Sequence, residues 1–211
     1  MKKLILPLLV LLLISCDSTQ LKDHWKSPDI DTYDAQKVFV LAMTDNTEAR
    51  RKFENKMQAQ LSLRGVQSTK SLDKFDTDFI SKKRTEDEIK KLEKQLAEEG
   101  YDTVIFTKVV GIKNKIKYKE DYSNLDKNHN RFNEDYLMYQ DQFFNPDKYK
   151  DYQVYNAETS VYCICPTKER TLVWKGYIDI IDPDNINKTV NDYSKLLIMI
   201  LEEDSIVPLR N

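Results

Sequence analysis

The sequence predicts an α/β protein built on a single mixed sheet of about five strands, in the order β-α-β-α-β, then a β-hairpin and a C-terminal helix, with helices packed on the sheet. Three observations predict it. Val38-Phe39-Val40-Leu41-Ala42-Met43 and the stretch Thr103 to Val110 are apolar runs of the kind found in strands covered on both faces. Between them, apolar residues recur at helical spacing and stop at Gly65 and again at Gly100. After them, the runs Val154 to Cys165 and Leu172 to Ile180 alternate with the period of half-buried strands.

Val38 to Met43 is read as the first, central strand. Asp45, with Glu48 three residues on, marks a capping-box-like helix start. Ala49, Phe53, Met57 and Leu61 then repeat every four residues, and Gly65 falls where a left-handed C-cap belongs. Val66 to Ser71 predicts a short second strand, and Asp73 to Lys83 a charged connection carrying Phe75 and Phe79. Thr85-Glu86-Asp87-Glu88 is a capping box, Ile89, Leu92 and Leu96 supply the buried stripe of the next helix, and Gly100 ends it. Strands and helices alternating in this way require right-handed crossovers and a parallel portion of sheet.

The chain changes character from about 114 to 153, where Tyr, Asn, Asp and Lys dominate. This excursion is read as an extended hairpin or a long surface segment, since structureless stretches above about 15 residues are uncommon in compact domains. Pro166 to Arg170 is a polar turn between the two alternating runs. Asp182-Pro183-Asp184-Asn185 opens a last helix with the stripe Ile186, Val190, Tyr193, Leu197 and Ile200.

With 33 Lys+Arg against 35 Asp+Glu, the formal net charge is -2, which argues against a dedicated nucleic-acid binder. Cys163 and Cys165, at i and i+2 in a strand-like run, point to one face with parallel Cβ vectors, so two small buried hydrophobes are expected rather than a disulfide. The two histidines, His24 and His129, stand in polar segments, so no metal site and no Ser-His-Asp or Cys-His machinery is expected. All four glycines have structural explanations, which leaves no phosphate cradle and no expected cofactor. Asp126-Lys127-Asn128-His129-Asn130 begins like a calcium loop, but Arg131 replaces the turn glycine and Leu137 the closing glutamate.

Candidate contacts remain in two places. The crevice beyond the carboxyl ends of the central strands would be built from Thr44, Asn46, Arg50 and Arg51, with a helix N-terminus able to face an anion. Asp45 and Glu48 oppose an anion there, and simple capping is the competing role. Within the excursion, Tyr136 and Tyr139 could stack on a glycan or a partner protein, or cover the sheet edge.

At the N-terminus, Lys2 and Lys3 precede the apolar run Leu4 to Ile14, which suits a signal segment and is too short to span a bilayer as a permanent helix. Leu13-Ile14-Ser15-Cys16 resembles the lipobox of a bacterial lipoprotein signal peptide. The resemblance implies cleavage between Ser15 and Cys16, a diacylglyceryl group on Cys16, and anchorage to the inner or outer membrane of a bacterial envelope. Residues 1–15 are therefore read as the signal peptide, 16–36 as a polar tether that partly docks, and 37–211 as a single α/β domain.

Several further segments are similar to a group of small bacterial envelope lipoproteins. They are Trp25 with Pro28, Lys37 to Val40, Arg50 to Glu54 leading to Arg64-Gly65-Val66, Tyr101 to Ile105, and Leu172 to Gly176. The resemblance implies a compact α/β domain without catalytic residues, distantly like those of envelope assembly and secretion lipoproteins. The expected function is a non-enzymatic, membrane-anchored lipoprotein that binds an envelope protein partner, the alternative being a small-ligand or glycan binder.

Overall fold

The computed structural model of the chain describes residues 19–75, 79–111, 131–144, 154–165, 171–181 and 185–210. In chain order the elements are β1 (Thr19–Lys26), β2 (Lys37–Met43), α1 (Thr47–Ser62), β3 (Gln67–Lys70), α2 (Ser71–Lys74), α3 (Glu86–Glu98), β4 (Thr103–Gly111), α4 (Phe132–Phe143), β5 (Val154–Cys163), β6 (Leu172–Ile181) and α5 (Ile186–Glu203). They form an α/β fold on one mixed sheet of order β1-β6-β5-β4-β2-β3. β2 runs parallel to β3 and β4, while β5, β6 and β1 add on antiparallel to their neighbours.

The unbroken apolar run of β2 has a partner on each face. Val38, Val40 and Ala42 point into a core shared with Phe53, Met57 and Leu61 of α1 and Leu197 and Leu201 of α5. Phe39, Leu41 and Met43 point into a second core with Ile89, Leu92 and Leu96 of α3 and Phe132 and Tyr136 of α4. The alternation of a strand thus feeds two helical layers at once. Gly65 and Gly100 take φ of 74° and 83° just past α1 and α3, the left-handed backbone that lets the helical chain reverse into a strand. The box at α3 forms as expected, with Thr85 Oγ1 accepting from Glu88 N and Thr85 N donating to a Glu88 carboxylate oxygen.

Several expectations are corrected. The sheet has six strands rather than about five, because residues 19–26 of the expected tether form β1, pairing Thr19 with Ile180 and Trp25 with Lys175. The cap of α1 is Asn46 and not Asp45: its side chain accepts from Ala49 N at 2.9 Å, so Glu48 is one residue too early to close a box and pairs with Lys52 instead. The charged connection after β3 begins with the short helix α2. Cys163 and Cys165 are joined by a disulfide. An extended i, i+2 pair would stand about 6.6 Å apart, but β5 ends at Cys163 and the following bend brings the Cα atoms to 5.4 Å.

The excursion is corrected in part. Residues 132–143 form α4, with Phe132, Tyr136 and Tyr139 buried along one side. Residues 114–130 and 145–153 lie outside the described ones, as do the predicted signal segment with Ser15 and Cys16, the turn 166–170 and residues 182–184. Among the described residues, no helix is long and apolar enough to cross a membrane.

Candidate functional site

The carboxyl ends of β2 and β4 meet the first turns of α1 and α5, and a pocket of about 90 Å³ opens there. Its walls are almost wholly carbon, from Met43, Ala49, Phe53, Val109, Ala157 and Val190. Phe53 and Tyr193 meet edge to face at 5.7 Å and close the side between α1 and α5. Behind the pocket, Thr107, Thr159 and Tyr193 form a hydroxyl chain with both links at 2.7 Å. Burial drives the Tyr193 phenol well above its usual pKa, so it stays a neutral hydrogen-bonding group.

Two of the four predicted crevice residues reach this pocket. Thr44 and Arg50 line it, Asn46 is spent on the helix cap, and Arg51 is exposed. Arg50 is buried and turned inward, its Nε 3.2 Å from Glu54 and its Nη2 2.7 Å from Ser71 Oγ. Glu54 also accepts from Ala42 N and Leu72 N, each at 3.1 Å. β3 stops opposite Val40, so the Glu54 carboxylate supplies the partner that β2 lacks at Ala42. Glu54 thus ties α1 to the sheet, and the Arg50 guanidinium is taken up by Glu54 and by Ser71 of α2.

A second assembly was not foreseen. On the opposite face of the sheet, Lys108 of β4 lies 2.7 Å from Asp135 of α4 and 2.9 Å from Glu158 of β5, and Lys175 of β6 lies 3.0 Å from Glu158. Tyr139 donates to Glu158 at 2.5 Å with its ring 3.7 Å from Lys108 Nζ, and Tyr162 donates to Asp135. Each of the four charges is at most 3% exposed. Burial pushes the Glu158 carboxyl up, but Lys108 and Lys175 pull harder and hold it well below the ordinary carboxylate range. Tyr162 is driven well above its usual pKa by burial and by Asp135. Two cations face two anions, Tyr139 and Tyr162 donate to the carboxylates, and the array holds α4 on the sheet, with Asp135 Oδ1 left buried and without a partner among the described residues.

Tyr136 and Tyr139 thus belong to the interior rather than to a contact arm. Tyr136 stacks on Phe106 at 5.7 Å, and burial lifts its phenol pKa to about 12. The clue in the sequence is Asp135 and Tyr139 at i, i+4, together with a lysine inside an otherwise apolar strand. A further cleft of about 550 Å³ runs along α3, with Lys82, Arg84 and Lys91 around Phe75 and Phe79, whose rings stack at 4.4 Å. Among the described residues, no group of three or more His, Cys, Asp or Glu could hold a metal ion.

No family model and no curated protein matches this chain. Among solved structures, it is similar to the PelC dodecamer from Paraburkholderia phytofirmans at 9% identity and a TM-score of 0.43, covering 92% of this chain and 99% of that one. A variant of the same PelC dodecamer matches at 9% identity and a TM-score of 0.42, covering 91% and 98%.

Proposed function

We propose that this chain is a lipid-anchored lipoprotein of a bacterial envelope that binds a partner protein and carries out no chemistry of its own. The observation that supports the reading most directly is the start of β1, three residues after Cys16. A lipid on that cysteine would hold the folded domain close to a bilayer, with the strand ends of β2 and β4 toward it and the C-terminal ends of α1 and α5 away from it. At that far end Leu63, Met199 and Leu209 are 47%, 45% and 72% exposed. Large apolar side chains left in water near two helix ends suit a protein contact.

The test joins intact mass with crosslinking. Wild-type protein should carry an acyl mass on Cys16 and sediment with membranes, and Cys16→Ser should lose both. In-cell crosslinking should capture a discrete protein that Leu63→Glu with Leu209→Glu releases. A wild-type protein without acyl mass would overturn the anchor. An anchored protein whose crosslinks the double variant leaves unchanged would overturn the contact.

The cleft along α3 favours a second reading, small-ligand binding. Its volume falls in the range of ligand sites, about 300–1,000 Å³; Glu88 on its wall pairs with Arg84, while Lys82 and Lys91 beside the stacked rings suit an anionic molecule with a flat face. Saturable binding of an anionic oligosaccharide, lost in Lys82→Glu with Lys91→Glu, would favour it over the partner reading.

A further inference from the structure

The pocket at the strand ends and the start of β1 lie at the same end of the sheet. β5 and β6 reverse direction in turn, so Thr19 pairs with Ile180, and Ile180 itself lines the pocket. Neighbouring strands stand about 5 Å apart, and three extended residues reach at most about 11 Å. A group on Cys16 is therefore tethered within about 16 Å of the pocket wall.

The pocket's shape and chemistry restrict what enters. Its 90 Å³ is less than the roughly 150 Å³ of a cavity that admits benzene, so it encloses only a small apolar group or the end of a longer one. Its carbon walls offer a polar molecule almost nothing to bind. A slender aliphatic chain end fits both limits. Val109, 37% exposed, is the wall residue most open to solvent among the large apolar side chains lining the pocket.

We propose that this pocket takes the end of one acyl chain of the diacylglyceryl group on Cys16. The inference rests on the lipoprotein reading above. The anchor then divides its chains between the bilayer and its own protein, and the domain is held at a fixed orientation to the membrane instead of swinging on a tether.

The test uses full-length protein matured in bacteria fed a diazirine-bearing fatty acid, then illuminated and analysed by intact mass and peptide mapping. An acyl mass on Cys16, with crosslinks from that chain to peptides holding Met43, Val109 or Val190, is the expected result. Ala49→Phe fills the pocket from the first turn of α1 and should abolish those crosslinks while circular dichroism stays unchanged. An acyl mass without pocket crosslinks would overturn this proposal and leave the anchor standing. Pocket crosslinks that come only from diazirine phospholipid added to the membrane would also overturn it, by assigning the pocket to a bilayer lipid. Absence of any acyl mass would overturn both readings.

Discussion

Gly176 stands inside β6 because Trp174, two residues back on the same face, lays its indole over it. A Cβ at Gly176 would lie 2.2 Å from Cη2 and 2.7 Å from Cζ2 of that ring. Trp174 is fully buried, and its Nε1 donates to Asp204 at 2.7 Å, so the ring cannot slide aside without disturbing a hydrogen bond to a carboxylate. Overpacking of this kind costs about 1–3 kcal/mol, and part of a charge-assisted hydrogen bond adds to it, so Gly176→Ala should cost about 2–4 kcal/mol. In a Trp174→Leu background the clashing ring is gone, and the same alanine should cost under about 0.5 kcal/mol. Urea unfolding of the four proteins, followed by far-UV circular dichroism, gives the coupling directly. An equal cost of alanine in both backgrounds would falsify the account of why a glycine sits there.

Three further outcomes are expected. Glu48, Glu88, Glu99, Glu158 and Glu202 are all held below the ordinary carboxylate range. Their folded pKa values lie below the unfolded ones, so their contribution is complete above about pH 4.3 and is lost as pH falls through the folded values. Urea midpoints should hold from pH 7 to about 5.5 and fall steeply below about 4; a flat profile down to pH 3 would contradict this. Tyr136→Ala should cost about 3–5 kcal/mol in chemical denaturation, as for a large buried aromatic, where an exposed contact residue would cost almost nothing. Tyr139→Phe keeps the ring over Lys108 but removes the donor to Glu158, for an expected loss of about 1.5–3 kcal/mol; neutrality would mean that the buried charges do not depend on it.

The elements legible in the sequence are those whose signals are local. The Thr85 box, the two glycine stops and the four-residue repeat of α1 each state their structure within a turn or two of chain. β1 was hidden because Thr19-Gln20-Leu21-Lys22-Asp23-His24-Trp25-Lys26 is an edge strand with half of its side chains in water and one buried, so it lacks the pattern of a core strand. α4 was hidden for the opposite reason: its inward side mixes Phe132 and Tyr136 with Asp135, and it takes Lys108 and Tyr162 on the sheet to make that carboxylate an interior residue. The crevice at the strand ends was legible as a place. Its chemistry was not, since the inward turn of Arg50 depends on Glu54 taking up the hydrogen bond that a four-residue β3 leaves unmade.

The two rims of the sheet are also defended against other strands. An unpaired strand edge is a template on which a second chain can assemble, and natural proteins spoil it with charge, shortness and broken register. β3 offers four residues, then turns directly into α2. β1 slips register between Leu21 and Asp23, and Lys22 is tied across to Asp179 of β6. Copies of this protein crowded together should therefore resist zipping edge to edge, and any assembly they form has to be made through side chains rather than through a continued sheet.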